Sequence, residues 1–287
     1  MASGPDRRVR WLVLGAARAV TALAAVVLLA GCLGTSTDGT GGTGHSVGSG
    51  RGDNGGNRNG GDGAPGGSYS DSSPVIGSGR LTSRLIDLSG VTSAVVGASF
   101  VVNVTVGEPE QATVQMDDNL TDLVETTVSG GELRLGLKPG ADVRNATLTA
   151  EVTVSSLDRL SASGASEVSL VSPVTGPALQ LVVSGASRIT GPVGVDRVEA
   201  EVSGASTLAL SGQVRDLRLR GVGASRLLLA DLAVRDLDVA LSGASNATVA
   251  VSDTLAAQVS GASALRYLGS PNITRQQATG ASSILRE

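Results

Sequence analysis

The sequence predicts an all-β fold, a parallel β-helix (β-solenoid) of about 20-residue coils with an N-terminal β capping region. Three observations carry this. The tripeptide Gly-Ala-Ser recurs with its glycine at Gly164, Gly185, Gly204, Gly223, Gly243, Gly261 and Gly280, at spacings of 21, 19, 19, 20, 18 and 19. A period near 20 marks stacked repeats, none of which buries its apolar side alone. Counting back two, four and six residues from a corner glycine gives Val183, Leu181 and Leu179, then Val202, Ala200 and Val198 in the next coil. Apolar residues at every second position are strand periodicity. Finally, the chain has 40 glycines but only four aromatic residues, Trp11, Tyr69, Phe100 and Tyr267. Such a core is built from thin aliphatic layers.

Taken in order, residues 1–31 read as a lipoprotein signal peptide. Arg7, Arg8 and Arg10 are followed by an apolar run to Ala30, broken only by Arg18. The clean stretch, 20–30, is too short to span a bilayer and suits a signal-peptide core. It ends in Leu29-Ala30-Gly31-Cys32, which resembles the lipobox of bacterial lipoproteins. The resemblance implies cleavage before Cys32 and a diacylglycerol on its thiol, a stable two-chain membrane anchor. Residues 32–75 read as a disordered tether: 15 of the 38 residues from 33 to 70 are glycine. Such a segment buries too little surface to offset chain entropy, and its root-mean-square reach is roughly 35 Å. Arg51-Gly52-Asp53 inside it matches a tripeptide read by animal integrins, but chance explains it in so Gly-, Asp- and Arg-rich a segment. The Asn-x-Thr triplets at Asn103, Asn145 and Asn246 are glycosylation acceptors only in other export systems.

The folded domain is expected over 76–287. Residues 76–160 should cap the solenoid's N-terminal end, with strand-like runs at 100–106, 112–116, 132–137 and 147–154 and a turn at Gly130-Gly131. Raw sheet ends need such a cover. Residues 161–287 hold the Gly-Ala-Ser coils: strand, corner, strand, then a variable return. Four residues after each glycine comes another inward column: Val168, Ile189, Leu208, Leu227, Ala247, Leu265 and Ile284. The glycine supplies a turn that L-residues avoid. The alanine after it suits an inside corner that admits only a methyl, and the serines stack along the axis, hydroxyl near hydroxyl. Outward, Glu199 and Glu201 should face Arg218 and Arg220, which face Asp238 and Ala240; Glu167 should face Arg188. Parallel, in-register stacking predicts these alternations of sign. The last coil is more polar, with Thr274 and Gln276 in inward columns, so it either frays or is covered by a partner chain.

The chain resembles the head domains of auto-transporter adhesins called GIN domains, over residues 80–287. The resemblance rests on Val96-Gly97-Ala98-Ser99-Phe100 before alternating valines, on Asp118-Asn119-Leu120 before a two-strand stretch, and on the serial Ser-Gly-Ala-Ser corners. It implies a right-handed parallel β-helix on a non-catalytic cell-surface protein. The lipobox departs from the auto-transporter pattern, and no membrane barrel is expected.

Function follows by elimination as far as the residues allow. A net charge of −4 gives no reason to expect nucleic acid. One cysteine permits no internal disulfide, and the single histidine, His45, permits neither the usual zinc sites nor a triad; no metal or cofactor is expected. Without a histidine in the folded part, and with Lys138 the single lysine, nothing activates the corner serines as nucleophiles. Asp117 and Asp118 are adjacent, but successive strand side chains point to opposite faces, and in a turn both would be solvent-exposed. The expectation is an extracytoplasmic, membrane-anchored, non-enzymatic lipoprotein. It binds a surface ligand through its side faces, or has an envelope structural or sensory role, docking another membrane protein or a second copy on its C-terminal coil; a polysaccharide-active enzyme is the weaker alternative.

Overall fold

The computed structural model describes residues 73–287, so the expected signal peptide, Cys32 and the expected tether up to residue 72 lie outside the described residues. Gly67–Glu287 forms one compact unit. Its buried apolar residues run from Leu88 to Tyr267, so this unit carries its own core. No α-helix occurs among the described residues; one turn of 3-10 helix covers Asp118–Leu120.

The first half comprises β1 (Val75–Ile76), β2 (Leu81–Asp87), β3 (Ser93–Val96), β4 (Val101–Val106), β5 (Gln111–Asp117), β6 (Val124–Ser129), β7 (Glu132–Leu137), β8 (Val143–Arg144) and β9 (Leu148–Val154). The coils comprise β10 (Arg159–Ala162), β11 (Glu167–Leu170), β12 (Val174–Val183), β13 (Arg188–Val202), β14 (Thr207–Gly221), β15 (Arg226–Leu241), β16 (Asn246–Val259), β17 (Ala264–Leu268), β18 (Asn272–Ala278) and β19 (Ser283–Arg286). Strands β13 to β16 are 14 to 16 residues long, each running from one Gly-Ala-Ser corner to the next.

Stacking these coils builds a solenoid of about seven turns, each about 19 residues long. The segments before the corners form a first wall, all parallel, in the spatial order β7, β3, β10, β12, β13, β14, β15, β16, β18. The segments after the corners form a second wall: β9, β4, β11, β13, β14, β15, β16, β17, β19. A third, shorter wall returns through Val195, Val214, Val234 and Val251, which pair in that order. The predicted inward columns are the core: Leu179, Leu181, Val183, Val198, Ala200 and Val202 are buried, as are Val168, Ile189, Leu208, Leu227, Ala247 and Leu265. Each layer removes apolar area from water at about 25 cal/mol per Å², but only because the neighbouring layer covers it.

The N-terminal end is closed as expected, by strands that abandon the parallel pattern. β2 pairs antiparallel with β5, and β5 antiparallel with β9. β6 and β7 form a hairpin whose turn residues Gly130 and Gly131 both have positive φ, 59° and 76°. That is the backbone a two-residue hairpin needs to match strand twist. The four predicted runs correspond to β4, β5, β7 and β9. The spatial order differs from the chain order here, because the first coil, β3–β4, lies between β10–β11 and the later β7–β9 pair. At the other end, all seven residues of β18 are exposed. Gln276 sits opposite buried Ala257, as the column count predicts, but Ile273 rather than Thr274 faces Leu255, because a register shift intervenes.

Candidate functional site

The corners place every outward side chain, so the site starts from them. The seven corner glycines have φ between 65° and 85°. A side chain is excluded there twice over. The conformation is left-handed, and a Cβ on Gly204 would stand 2.4 Å from the carbonyl oxygen of Gly185 in the coil below. The alanines that follow do not fill inside corners. Ala165, Ala186, Ala205, Ala224, Ala244 and Ala262 are exposed. The serines turn inward instead, and Ser166, Ser187, Ser206, Ser225, Ser245 and Ser263 are buried. They form a column, but the corner hydroxyls that donate do so to the main chain and not to one another. Ser166 Oγ donates to the carbonyl of Ser163 at 2.7 Å, Ser225 Oγ to that of Val222 at 2.7 Å, and Ser245 Oγ to that of Ser242 at 3.0 Å. A buried hydroxyl is tolerated when it satisfies a turn carbonyl three residues back, and a methyl has no such use.

The first coil obeys a shifted rule. Val96 pairs with Ala162, so Gly97 lies beside Ser163 and not beside Gly164. Ala98 and Ser99 therefore carry the positive φ, 57° and 62°. Phe100, fully buried, lies beside Ser166 in the register of β4 with β11 and so stands at the foot of the serine column.

With the corners fixed, the outer surface of the first wall becomes a grid. Glu199 pairs with Arg218 and Glu201 with Arg220, and these with Asp238 and Ala240, the register predicted from charge alternation. Glu167 likewise pairs with Arg188. Only part of this alignment closes into ion pairs: Arg218 reaches Glu199 at 3.7 Å. Glu201, Arg220 and Asp238 have no opposite charge within 4 Å among the described residues. Two further columns were readable by counting back seven and eight residues from the corner glycines. The first is Arg197, Asp216, Asp236 and Thr254, in which Arg197 stands 4.0 Å from Asp216 and Thr254 donates to Asp236 at 2.5 Å. The second follows the edge of this wall, where Asp196 meets Arg215 at 3.9 Å and Arg235 meets Asp253 at 3.0 Å. Half-exposed pairs at these distances contribute about 0–1 kcal/mol each.

A row of shallow depressions that share lining residues, together a shallow groove, follows the grid. One depression of about 430 Å³ is lined by Arg197, Glu199, Asp216, Arg218, Asp236 and Asp238. A neighbour shares Arg197 and Glu199 with it and reaches Asp158 and Pro177. Another links Glu199 and Arg218 to Arg220, and a fourth continues from Arg220 to Gln277. Phe100 and Tyr267 are both buried, so no aromatic platform faces this groove among the described residues. Nor do the described residues hold a group of three or more His, Cys, Asp or Glu side chains fit for a metal ion. No helix among them is long and apolar enough to cross a membrane.

Asp117 departs from expectation. It is buried, with 1 % of its surface exposed, and its two oxygens each accept a main-chain N–H at 2.7 Å, from Gly79 and Thr147. The segment 76–79 folds over it and shields it. Asn119 accepts from Ser78 N–H at 3.0 Å and donates to the Ile76 carbonyl at 2.8 Å. Asp118 is half-buried and takes the Ser78 hydroxyl at 2.5 Å and Arg80 at 2.9 Å. The Ser78 hydroxyl first, then the Arg80 charge, holds its carboxyl below the usual range. Glu110, bonded by Ser155 and Gly90, and Asp87, bonded by Ser89, are lowered in the same way. These carboxylates clamp the cap and face away from any cavity described above.

No curated protein matches the chain. Solved structures share its fold. A protein from Bacteroides fragilis described as "a putative adhesin" aligns with a TM-score of 0.69 at 19% identity, over 74% of this chain and all of its own. An adhesin of the same description from Parabacteroides merdae gives 0.62 at 20%, over 74% of this chain and 98% of its own. A "putative lipid binding protein" from Parabacteroides distasonis gives 0.61 at 17%, over 75% of this chain and all of its own. With the corners, the parallel walls and the capped end in place, the sequence of residues 92–271 matches one family throughout, and the chain belongs to the family described as "Putative auto-transporter adhesin, head GIN domain".

Proposed function

We propose that this protein is a non-enzymatic, adhesin-like binding module held outside the cell by a lipid on Cys32. The groove on the first wall is its ligand surface. One observation carries the reading: the groove is lined by charges the fold does not need. The core is satisfied without them, and several meet no partner of opposite charge. The ligand is accordingly met by ion pairs and hydrogen bonds and not by ring stacking.

Binding of the Gly67–Glu287 unit to wall polysaccharide and to host-cell surfaces tests this. Binding should weaken with salt, because exposed charges are screened over about 8 Å at physiological ionic strength. Arg218→Glu with Arg220→Glu should abolish it while circular dichroism stays unchanged. Absent binding, or binding indifferent to these changes, would remove the reading. For the anchor, Cys32→Ala should release the mature protein from membranes.

A second reading is favoured by the exposed terminal coil: β18 and β19 dock another envelope protein. Crosslinking in cells should then capture one partner, lost when residues 265–287 are deleted.

A further inference from the structure

We propose that β2 is a self-pairing edge, through which two copies of this chain join antiparallel about a two-fold axis at Ser83. β2 ends the second-wall sheet. Among the described residues it pairs with β5 on one side and with no strand on the other, so one edge of this seven-residue strand carries main-chain groups without a sheet partner there. Its outward side chains are Leu81, Ser83, Leu85 and, at its C-terminal end, Asp87, which an axis at Ser83 sets against Gly79. Leu85, at 69 %, is the most exposed large apolar residue described, and Leu81 is 50 % exposed. A free edge bearing apolar side chains is a template for another strand unless something blunts it.

The sequence of β2 matches itself in one register. An axis at Ser83 sets Leu81 against Leu85 of the second copy, twice, and Thr82 against Arg84. Two apolar cross-strand pairs then flank a central Ser83–Ser83 pair, and no like charges stand opposite. An axis at Arg84 would oppose two guanidinium groups, and a one-residue slip would turn the leucines to the wrong face. Arg84 points inward and donates to Thr126 Oγ1 at 3.0 Å, which draws its charge away from the junction.

The C-terminal coil, where the sequence suggests self-association, is the poorer edge. β18 is broken by a register shift and carries Asn272, Arg275, Gln276 and Gln277, the polar, irregular character that discourages pairing. Pairing through β2 makes one continuous sheet across the axis, an isologous contact that closes at two copies. If the groove is the ligand surface proposed above, each dimer presents two grooves, and a repetitive surface is held by avidity. The dimer itself does not depend on that reading.

The test has three arms. Sedimentation of the Gly67–Glu287 unit should give a dimer mass at about 100 µM. Ser83→Cys in the full-length chain should form a disulfide-linked dimer on mild oxidation of membranes. Leu228→Cys, exposed on the second wall away from β2, should link no more than the parent chain does. Leu85→Lys should weaken the dimer at least about tenfold without changing circular dichroism. Three results each overturn the proposal: a monomer at that concentration, equal crosslinking by the two cysteine variants, or a dimer that survives Leu85→Lys but is lost with Leu285→Lys. The last would put the contact on the terminal coil.

Discussion

The coils and the N-terminal cap are made of the same strands yet are held by different physics. In the coils each residue meets its equivalent about 19 positions away, so glycine stacks on glycine, serine on serine and leucine on leucine. Sequence irregularity is costly there, because a side chain placed on one corner strikes the backbone of the next. In the cap, antiparallel pairs bring unlike segments together, such as Leu81 with Asp117 and Gln111 with Thr153. Polar side chains do the joining, above all Asp117. The comparison teaches that periodic regions tolerate surface change but not corner change, whereas the cap depends on single residues that no repeat announces.

The largest test of this contrast compares glycines. Gly204→Ala must adopt a positive φ of 74° and place its Cβ 2.4 Å from the Gly185 carbonyl oxygen, and a loss of at least about 3 kcal/mol is expected. Gly90→Ala in the cap has a positive φ of 74° but open space around it, and about 1 kcal/mol is expected. Equal losses in urea titrations would break the distinction. Next, Asp117→Ala leaves the N–H groups of Gly79 and Thr147 without their acceptor, at a cost of about 2–3 kcal/mol. Hydrogen exchange should rise at residues 75–87 while the coils keep their protection.

Within the serine column the effects are smaller and unequal. Ser225 Oγ donates its one hydrogen to the Val222 carbonyl at 2.7 Å, with the Val202 carbonyl also in reach at 3.1 Å, whereas Ser206 Oγ is the one buried side-chain polar atom described that has no partner. Ser225→Ala should cost about 1 kcal/mol, and Ser206→Ala should be neutral or stabilising; thermal melts of the pair decide it. On the groove, Arg218→Glu should destabilise by under about 1 kcal/mol, and adding Glu199→Arg should recover the loss. A double-mutant cycle without coupling would count against this pair as a register device.

Acid gives the gentlest probe. Asp87, Glu110 and Asp118 have lowered pKa values in the folded state, so the stability they contribute is present above the ordinary carboxylate range and is lost as pH falls through their lowered values. All three belong to the cap. Proteolysis or hydrogen exchange at falling pH should therefore open the cap before the coils. Simultaneous opening would mean the two regions unfold as one.

Much of the solenoid was legible in the chain itself. A coil contacts only its neighbours, so the Gly-Ala-Ser spacing, the inward columns and the Glu199–Arg218–Asp238 register are all local or repeated information. Two more charge columns, at Arg197 and Asp196 and their equivalents, lay within the same count and went unread. The corner polarity was read the wrong way round. Composition says that a small residue and a hydroxyl occupy the corner, and the turn geometry decides that the hydroxyl goes in.

By itself, then, the sequence determined the coil, its period, its core and the signs along its outer face, because each is fixed by contacts that recur at one spacing. Tertiary structure alone decided the order of the capping strands, the burial of Asp117, Phe100 at the foot of the serine column, and the groove that joins separate charge columns into one surface. Those features depend on unlike segments meeting once, and a single meeting leaves no period to count.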